Sequence, residues 1–134
     1  MAKQEPNIQE WLEGARESEN ADLCGMFLTH AGVVRATPKA QVRAGEEGLP
    51  AVEQVEFSYD ADGLNEAIKD ALTWDGIYYV RVWLNEGTCN VGDALMYVLI
   101  GGDIRPHVID ALQKLVGHIK NDLVVEREVY AEEK

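Results

Sequence analysis

Apolar side chains recur at the spacing of an α-helix in three segments of the chain. The first segment starts after Asn7, which can cap it, and the second follows Asp62. The third starts at Asp103, predicted here to be its cap, and has Pro106 in its first turn, where proline is tolerated. The pattern therefore predicts three amphipathic helices. Their apolar stripes are Ile8, Trp11, Leu12 and Ala15; Leu64, Ile68, Ala71 and Leu72; and Val108, Ile109, Leu112, Leu115, Val116 and Ile119.

Strand-like patterns fill most of the remaining chain. Residues 55–60 and 77–85 alternate between apolar and polar side chains, as a strand with one buried face does. Residues 23–34 and 94–102 are almost continuously apolar, which predicts buried strands, the second of them buried on both faces. A last strand is predicted at 123–130.

Two segments are rich in turn-forming residues. Residues 36–51 hold two prolines and two glycines and are predicted to form a loop that can include a short strand at 40–44. Residues 86–93 hold two glycines and are predicted to form a turn. Because helices and strands mix without strict alternation, the predicted class is α+β, with helices packed on a mostly antiparallel sheet. A chain of 134 residues is most simply one domain, spanning 1–134.

Composition excludes several classes of protein. The apolar fraction of 46% is typical of a globular protein, and no apolar run approaches the ~20 residues of a membrane span. The formal net charge is −12, from 24 acidic residues against 12 Lys and Arg. Such a surface repels phosphates, which disfavours nucleic acid and anionic membranes as partners. A local group of cations can still hold one small anion.

Targeting and redox signals favour a cytoplasmic protein. The N-terminal residues contain no apolar signal core, so no secretory signal is predicted. Cys24 and Cys89 lack zinc-like spacing and are interpreted as reduced residues of the core. His30, His107 and His118 are scattered without the paired spacing of a metal site, so no metal site is predicted.

One segment departs from the acidic composition. Between Asp22 and Glu46 there is no acid, and the charged residues are Arg35, Lys39 and Arg43. These cations can form a site for one phosphate or carboxylate. They can equally line a solvated loop, and composition alone favours that second interpretation.

Two more cations bracket the third predicted helix. Lys120 stands at its end, where a positive charge neutralises the helix dipole. Arg105 opens the helix, where a positive charge is unfavourable. A residue placed against a local preference invites a functional interpretation.

Five segments, in order, resemble the catalytic large subunit of molybdopterin synthase. They cover about Gly25 to Glu128, most of the chain, and are similar to a short, divergent branch of that MoaE-like family. The segments are GMFLTHAGVVR at 25–35, VEFSYD at 55–60, EGTCNVGDALMYVLIGGDIR at 86–105, GHIK at 117–120 and LVVERE at 123–128.

The resemblance implies a cytoplasmic homodimer with an α/β hammerhead fold and no cofactor. Members of this family bind a small ubiquitin-like sulfur carrier, MoaD-like, whose C-terminal Gly-Gly tail enters the active site as a thiocarboxylate. Two sulfurs pass to a cyclic pyranopterin monophosphate, which gives molybdopterin in molybdenum cofactor biosynthesis. Because the thiocarboxylate and the phosphate are both anions, the resemblance implies that the cationic segment binds them.

The resemblance also assigns roles to single residues. Lys120 matches the catalytic lysine of the family, and Arg35 and Arg105 match arginines expected to hold the anionic substrates. Lys39 and Arg43 are further cations of the loop and are expected to assist in anion binding.

Several positions depart from the family pattern. Glu126 stands near the second family lysine, with Arg127 as the nearest cation, and Ile104 replaces a histidine. His30 replaces a phenylalanine, and Leu84-Asn85 replaces a His-Arg pair. His30 and Arg127 are therefore candidates for accessory roles. The departures favour an alternative function, a non-catalytic binding protein of the same fold that docks the carrier tail or a pterin phosphate without turnover.

Overall fold

The computed structural model of the chain describes residues 5–39, 45 and 50–131. These residues form three α-helices, six β-strands and two short helical turns. In chain order the elements are α1 (Ile8–Arg16), a 3₁₀ turn (Ala21–Leu23), β1 (Met26–Val33), β2 (Val52–Tyr59), α2 (Ala61–Ala71), β3 (Ile77–Leu84), β4 (Gly87–Asn90), β5 (Ala94–Gly102), α3 (Arg105–His118), a π-helical turn (Ile119–Leu123) and β6 (Val124–Tyr130).

The strands form two three-stranded sheets, and every pairing is antiparallel. In the first sheet β5 lies between β1 and β3, and in the second β2 lies between β4 and β6. The predicted α+β class with a mostly antiparallel sheet is confirmed. β5 is central in its sheet and buried on both faces, which is why its sequence is almost continuously apolar.

The main core lies between the two sheets and the helices α2 and α3. Side chains on one face of each element meet there, as the helical and alternating patterns predict. Its most deeply buried large side chains include Leu84, Ile100, Leu115, Ile119, Val98 and Val108. Burying side chains of this size is worth roughly 1.5–3 kcal/mol each, so this core provides most of the driving force for folding.

Helix α1 covers the opposite face of the first sheet. Trp11 and Ala15 are buried against Leu99 of β5, and Tyr97 and Trp83 pack around them. Asn7 caps the helix as predicted, since its side-chain oxygen accepts a hydrogen bond from the Glu10 N–H at 3.2 Å. α1 therefore seals one face of the first sheet and leaves the other face to the core.

Two helix starts differ from the predictions. α2 begins before Asp62, because the Asp60 side chain accepts the Gly63 N–H at 3.1 Å and so acts as the cap. Asp103 does not cap α3: Ile104 is the cap residue, and the Asp103 carboxylate accepts the Ile104 N–H at 2.6 Å. The same carboxylate oxygen lies 2.7 Å from Nδ1 of His107.

Four further predictions need correction. β1 is an edge strand with alternating exposure, so the segment predicted to be buried shows one face to solvent. Residues 86–93 contain β4 as well as a turn. Leu72, assigned to the α2 stripe, is 43% exposed because it follows the helix end. Cys24 is only half-buried, whereas Cys89 is buried as predicted, and both thiols are free. The strand predicted at 40–44 lies outside the described residues.

Among the described residues, no helix is both long enough and apolar enough to cross a membrane.

Candidate anion-binding cleft

A polar cleft lies at the end of β1. It is bounded by the start of β5, by the strands β2 and β6, and by the π-helical turn. It brings together Arg35, Lys39 and Lys120, three of the five cations proposed from the sequence. Its cavity volume is about 50 Å³. The lining residues are Val33, Val34, Arg35, Thr37, Lys39, Val55, Leu95, Lys120, Glu126 and Glu128.

Lys120 reaches the cleft from the π-helical turn that continues α3. Its neighbours Ile119 and Leu123 are buried, so the turn is anchored in the core while Lys120 itself is exposed. Turns of this kind are rare and are often found at functional sites. None of the ion pairs found within 5–39 and 50–131 includes Lys120, which leaves its ammonium group for a ligand.

Arg35 is held by the backbone that follows β1. The preceding residue, Val34, is buried, donates its N–H to the Asp93 carbonyl and accepts the Gly92 N–H, both at 2.9 Å. The Arg35 Nε–H donates to the Thr37 carbonyl at 3.1 Å. Because that bond uses only one of the five guanidinium donors, the others remain able to bind an anion.

Lys39 is tied to two carboxylates of β6. Its Nζ lies 2.9 Å from Oε2 of Glu126, and its backbone N–H donates to Oε2 of Glu128 at 3.0 Å. The other oxygen of Glu128 accepts the Tyr130 hydroxyl at 2.7 Å. The Glu126 side chain is only 8% exposed, so its charge depends on the nearby Lys39 ammonium group for compensation.

The strand register explains why these two acids enter the cleft. Glu126 lies opposite Phe57 and Glu128 opposite Val55 in the β2–β6 pairing. Phe57 and Val55 are buried in the core, and paired residues of neighbouring strands share one face of the sheet. Glu126 and Glu128 therefore occupy the inner face of the second sheet.

Arg127 lies on the other face of β6. It makes two hydrogen bonds to Glu56 of β2, from Nε to Oε1 at 3.0 Å and from Nη2 to Oε2 at 3.1 Å. These bonds, and the positive charge of Arg127, lower the pKa of Glu56. The sequence candidate Arg127 thus belongs to an outer ion pair and does not line the cleft.

His30 lies on the inner face of β1, beside Lys120. It is half-buried and pairs in register with Val98 of β5. Burial lowers the pKa of His30, and the positive charge of Lys120 lowers it further. The imidazole is therefore neutral at neutral pH and can accept or donate a proton near the Lys120 ammonium.

The remaining sequence candidates lie elsewhere. Arg105 is exposed at the first turn of α3, and Lys120 follows the last turn, about 20 Å away at the rise of an α-helix. Within one chain, Arg105 therefore cannot share an ion with Lys120. Arg43 lies outside the described residues.

Comparison with solved structures gives a consistent result. A molybdopterin synthase from Staphylococcus aureus superposes with a TM-score of 0.68 at 15% identity, covering 90% of this chain and 85% of that one. A molybdopterin cofactor biosynthesis protein E from Burkholderia multivorans gives 0.70 at 18% identity, and a MoaE protein from Burkholderia ambifaria gives 0.70 at 15% identity, each covering 98% of this chain and 88% of the other. A complex of subunits 1 and 2 of molybdopterin-converting factor from Helicobacter pylori gives 0.63 at 15% identity, covering 96% and 86%.

The chain has the MoaE fold. The fold expected from the five sequence segments is therefore confirmed, although no family model and no curated protein matches the sequence. At 15–18% identity the likeness is one of fold, and the roles of individual residues depend on the cleft itself.

On this MoaE fold, the cleft contains groups that the sequence comparison did not single out. Glu128 and Tyr130 extend the network around Lys39, and Thr37 orients Arg35. The alternation along β6 could have placed Glu128 beside Glu126, since residues two apart in a strand share a face. In a chain with 24 acids, however, nothing in composition distinguishes Glu128 from the others.

Proposed function

We propose that the protein is the catalytic subunit of a molybdopterin synthase and transfers sulfur from a thiocarboxylated carrier to cyclic pyranopterin monophosphate. The observation that supports this most strongly is the convergence of Lys120 and Arg35 in one cleft on a MoaE fold. These residues lie on different elements and far apart in sequence. Two cations that line one small cleft are suited to an anionic reacting group.

The proposed partner is a small, ubiquitin-like, MoaD-like carrier ending in Gly-Gly, in the cytoplasm. The Helicobacter pylori structure of similar fold is a complex of two subunits of molybdopterin-converting factor, which supports such a partner. The cleft volume, about 50 Å³, supports it as well. Ligand pockets usually measure about 300–1,000 Å³, so this cleft suits the end of an extended tail better than a whole pterin.

Lys120 has the central role in this proposal. Its ammonium group balances the negative charge of the thiocarboxylate while the tail is bound, and stabilises the charge that develops as the sulfur attacks a pterin carbon and displaces an oxygen substituent. Water then hydrolyses the thioester bond to the carrier, which leaves the sulfur on the pterin and returns the tail as a carboxylate. A lysine that loses its proton can also act as a nucleophile or as a general acid–base group. His30, which is neutral and close enough for the charge of Lys120 to lower its pKa, provides a second group able to exchange a proton near Lys120.

Arg105 implies a homodimer within this proposal. Since it cannot reach the cleft of its own chain, an anion-binding role requires that it face the cleft of the partner subunit. Val33 and Val125, 54% and 68% exposed, provide apolar surface for such an interface. Light scattering at micromolar concentration is expected to give the mass of a dimer. The mass of a monomer would contradict a role for Arg105 in anion binding.

The second candidate function is the non-catalytic binding protein. The ion pair between Lys39 and Glu126 favours this second function. The resemblance implies a second lysine near position 126, but the residue there is a glutamate, and its carboxylate pairs with a cation of the cleft. Such a protein would dock the carrier tail and release it unchanged.

A single-turnover reaction distinguishes the two functions. The purified protein is mixed with thiocarboxylated carrier and pyranopterin precursor, and sulfur in the pterin is measured by mass spectrometry. The proposed enzyme is expected to convert the precursor, and Arg35→Ala is expected to weaken substrate binding by about 10-fold or more, as the loss of a charge-assisted hydrogen bond does. Carrier binding with no transfer by the wild type would favour the second function.

A further inference from the structure

We propose that Glu126 sets the charge that the cleft accepts, so that a singly charged carboxylate or thiocarboxylate binds and a doubly charged phosphate is disfavoured. The inference deepens the proposed function, on which it rests for the identity of the natural ligand. It assigns the carrier tail to the cleft and the phosphate of the pterin to a surface outside it.

The charge of the cleft limits the charge of its ligand. Among the described residues, its walls carry three cations, Arg35, Lys39 and Lys120, and two carboxylates, Glu126 and Glu128, which leaves one net positive charge. A ligand with one negative charge neutralises the cleft. A ligand with two negative charges leaves it negative, inside a protein whose formal net charge is already −12.

The Glu126 carboxylate is placed where it acts on an anion in the cleft. It is 92% shielded from solvent, since only 8% of the side chain is exposed, and its oxygen lies 2.9 Å from Nζ of Lys39. Charges shielded in this way are screened much less by water and salt than exposed ones. Glu126 therefore repels an incoming anion. It also forms an ion pair with Lys39, a cation that the anion would otherwise bind.

Packing alone does not account for an acid at position 126. Glu126 occupies the inner face of the second sheet opposite the buried Phe57, where an apolar residue would be the usual occupant. A carboxylate at such a position is costly unless it is paired, and the ammonium group of Lys39 provides that compensation. The chain thus maintains a buried negative charge beside its anion-binding cations.

A second acid provides a control for a general effect of charge. Glu56 is an acid of the neighbouring strand with its own cationic partner, Arg127, at 3.0 Å. Its side chain is 52% exposed and lies on the outer face, away from the cleft. Replacing Glu56 changes the net charge by the same one unit as replacing Glu126, so Glu56→Gln is the matched control.

The test measures the binding of two small probes by NMR titration. The probes are inorganic phosphate at about pH 8, where phosphate is doubly charged, and N-acetyl-glycylglycine, which carries one carboxylate. Binding is followed at the backbone amides of Arg35 and Lys120. The proteins are the wild type, Glu126→Gln, Glu126→Asp and Glu56→Gln.

Glu126→Gln is expected to bind phosphate about 10-fold and the carboxylate about 3-fold more tightly than the wild type, because Coulomb energy scales with ligand charge. Glutamine keeps the size of the side chain and can still accept a bond from Lys39. Glu126→Asp keeps the charge and is expected to keep the preference of the wild type. Glu56→Gln is expected to change neither affinity by more than about 2-fold, because exposed charges are screened.

Any of three outcomes in the compared affinities would overturn the inference. They are an unchanged affinity for phosphate in Glu126→Gln, an equal gain for both probes, and an equal gain in Glu56→Gln. Failure of both probes to shift the Arg35 and Lys120 amides would also overturn it, since the cleft would then not bind anions. The expected selectivity together with an absence of sulfur transfer would contradict the proposed function and leave the role of Glu126 intact.

Discussion

Two ion pairs lie on opposite faces of β6, at nearly the same separation. On the inner face, Lys39 and Glu126 are 2.9 Å apart and their side chains are 38% and 8% exposed. On the outer face, Arg127 and Glu56 are 3.0 Å apart and 59% and 52% exposed. Distance alone would rank the two pairs as equal, and only their surroundings distinguish them.

The difference in burial determines what each pair can do. Exposed pairs are screened by solvent and contribute little to stability. A buried pair is costly to break, because removing one partner leaves the other charge without water or a counterion. A charge held in that way also acts strongly on any ligand nearby. The inner pair can therefore influence both folding and binding, whereas the outer pair is expected to influence neither.

The largest effect on stability is expected from Lys39→Met. The substitution leaves Glu126 buried without its cation and is expected to lower the free energy of unfolding by about 1–3 kcal/mol. Chemical denaturation at neutral pH measures this change. Adding Glu126→Gln is expected to restore part of the loss, because the uncompensated charge is then removed. A stable single variant would show that Glu126 does not depend on Lys39.

A smaller, pH-dependent effect is expected from His30→Phe. Burial and Lys120 lower the pKa of His30 below its unfolded value of 6.5, so the unfolded chain binds more protons in the window below that pH. Wild-type stability is therefore lost as the pH falls through the window, and this component should be absent from the variant. Denaturation curves on both sides of about pH 6.5 measure the difference. Parallel pH profiles would contradict the burial of His30 beside Lys120.

The smallest effect is expected from Arg127→Met on the outer face. The free energy of unfolding is expected to stay close to that of the wild type, because the pair is exposed. The pKa of Glu56, which Arg127 lowers, is expected to rise towards its usual value, as measured by NMR titration of the carboxyl group. A loss of stability as large as that of Lys39→Met would remove the distinction between the two faces.

Much of this fold could be predicted from local patterns. A local pattern of apolar residues indicates how many faces of an element are buried. The continuous apolar run of β5, the alternation of β2 and the apolar stripe of α3 are examples. Local pattern does not select the residue that caps α2, because Asp60 and Asp62 are equally able to cap a helix and only the backbone geometry selects Asp60.

The cleft was predictable only in part. Arg35, Lys39 and Lys120 were proposed from charge and resemblance, but their convergence depends on pairings between distant strands, which no local pattern encodes. The sequence also placed Arg127 beside Glu126 as a substitute cation. In a strand, however, adjacent residues point to opposite faces. Arg127 therefore cannot enter the cleft that Glu126 lines.

Transfer of sulfur at Lys120 is the central claim, and a single-turnover measurement with Lys120→Ala and Lys120→Arg tests it most directly. Lys120→Ala is expected to unfold within about 1 kcal/mol of the wild type, because the side chain is exposed at a helix end. Its transfer rate is expected to fall by at least about 100-fold. Lys120→Arg is expected not to restore the rate, since arginine keeps the charge but neither loses its proton nor fits the same geometry. Transfer at the wild-type rate by Lys120→Ala would contradict the account.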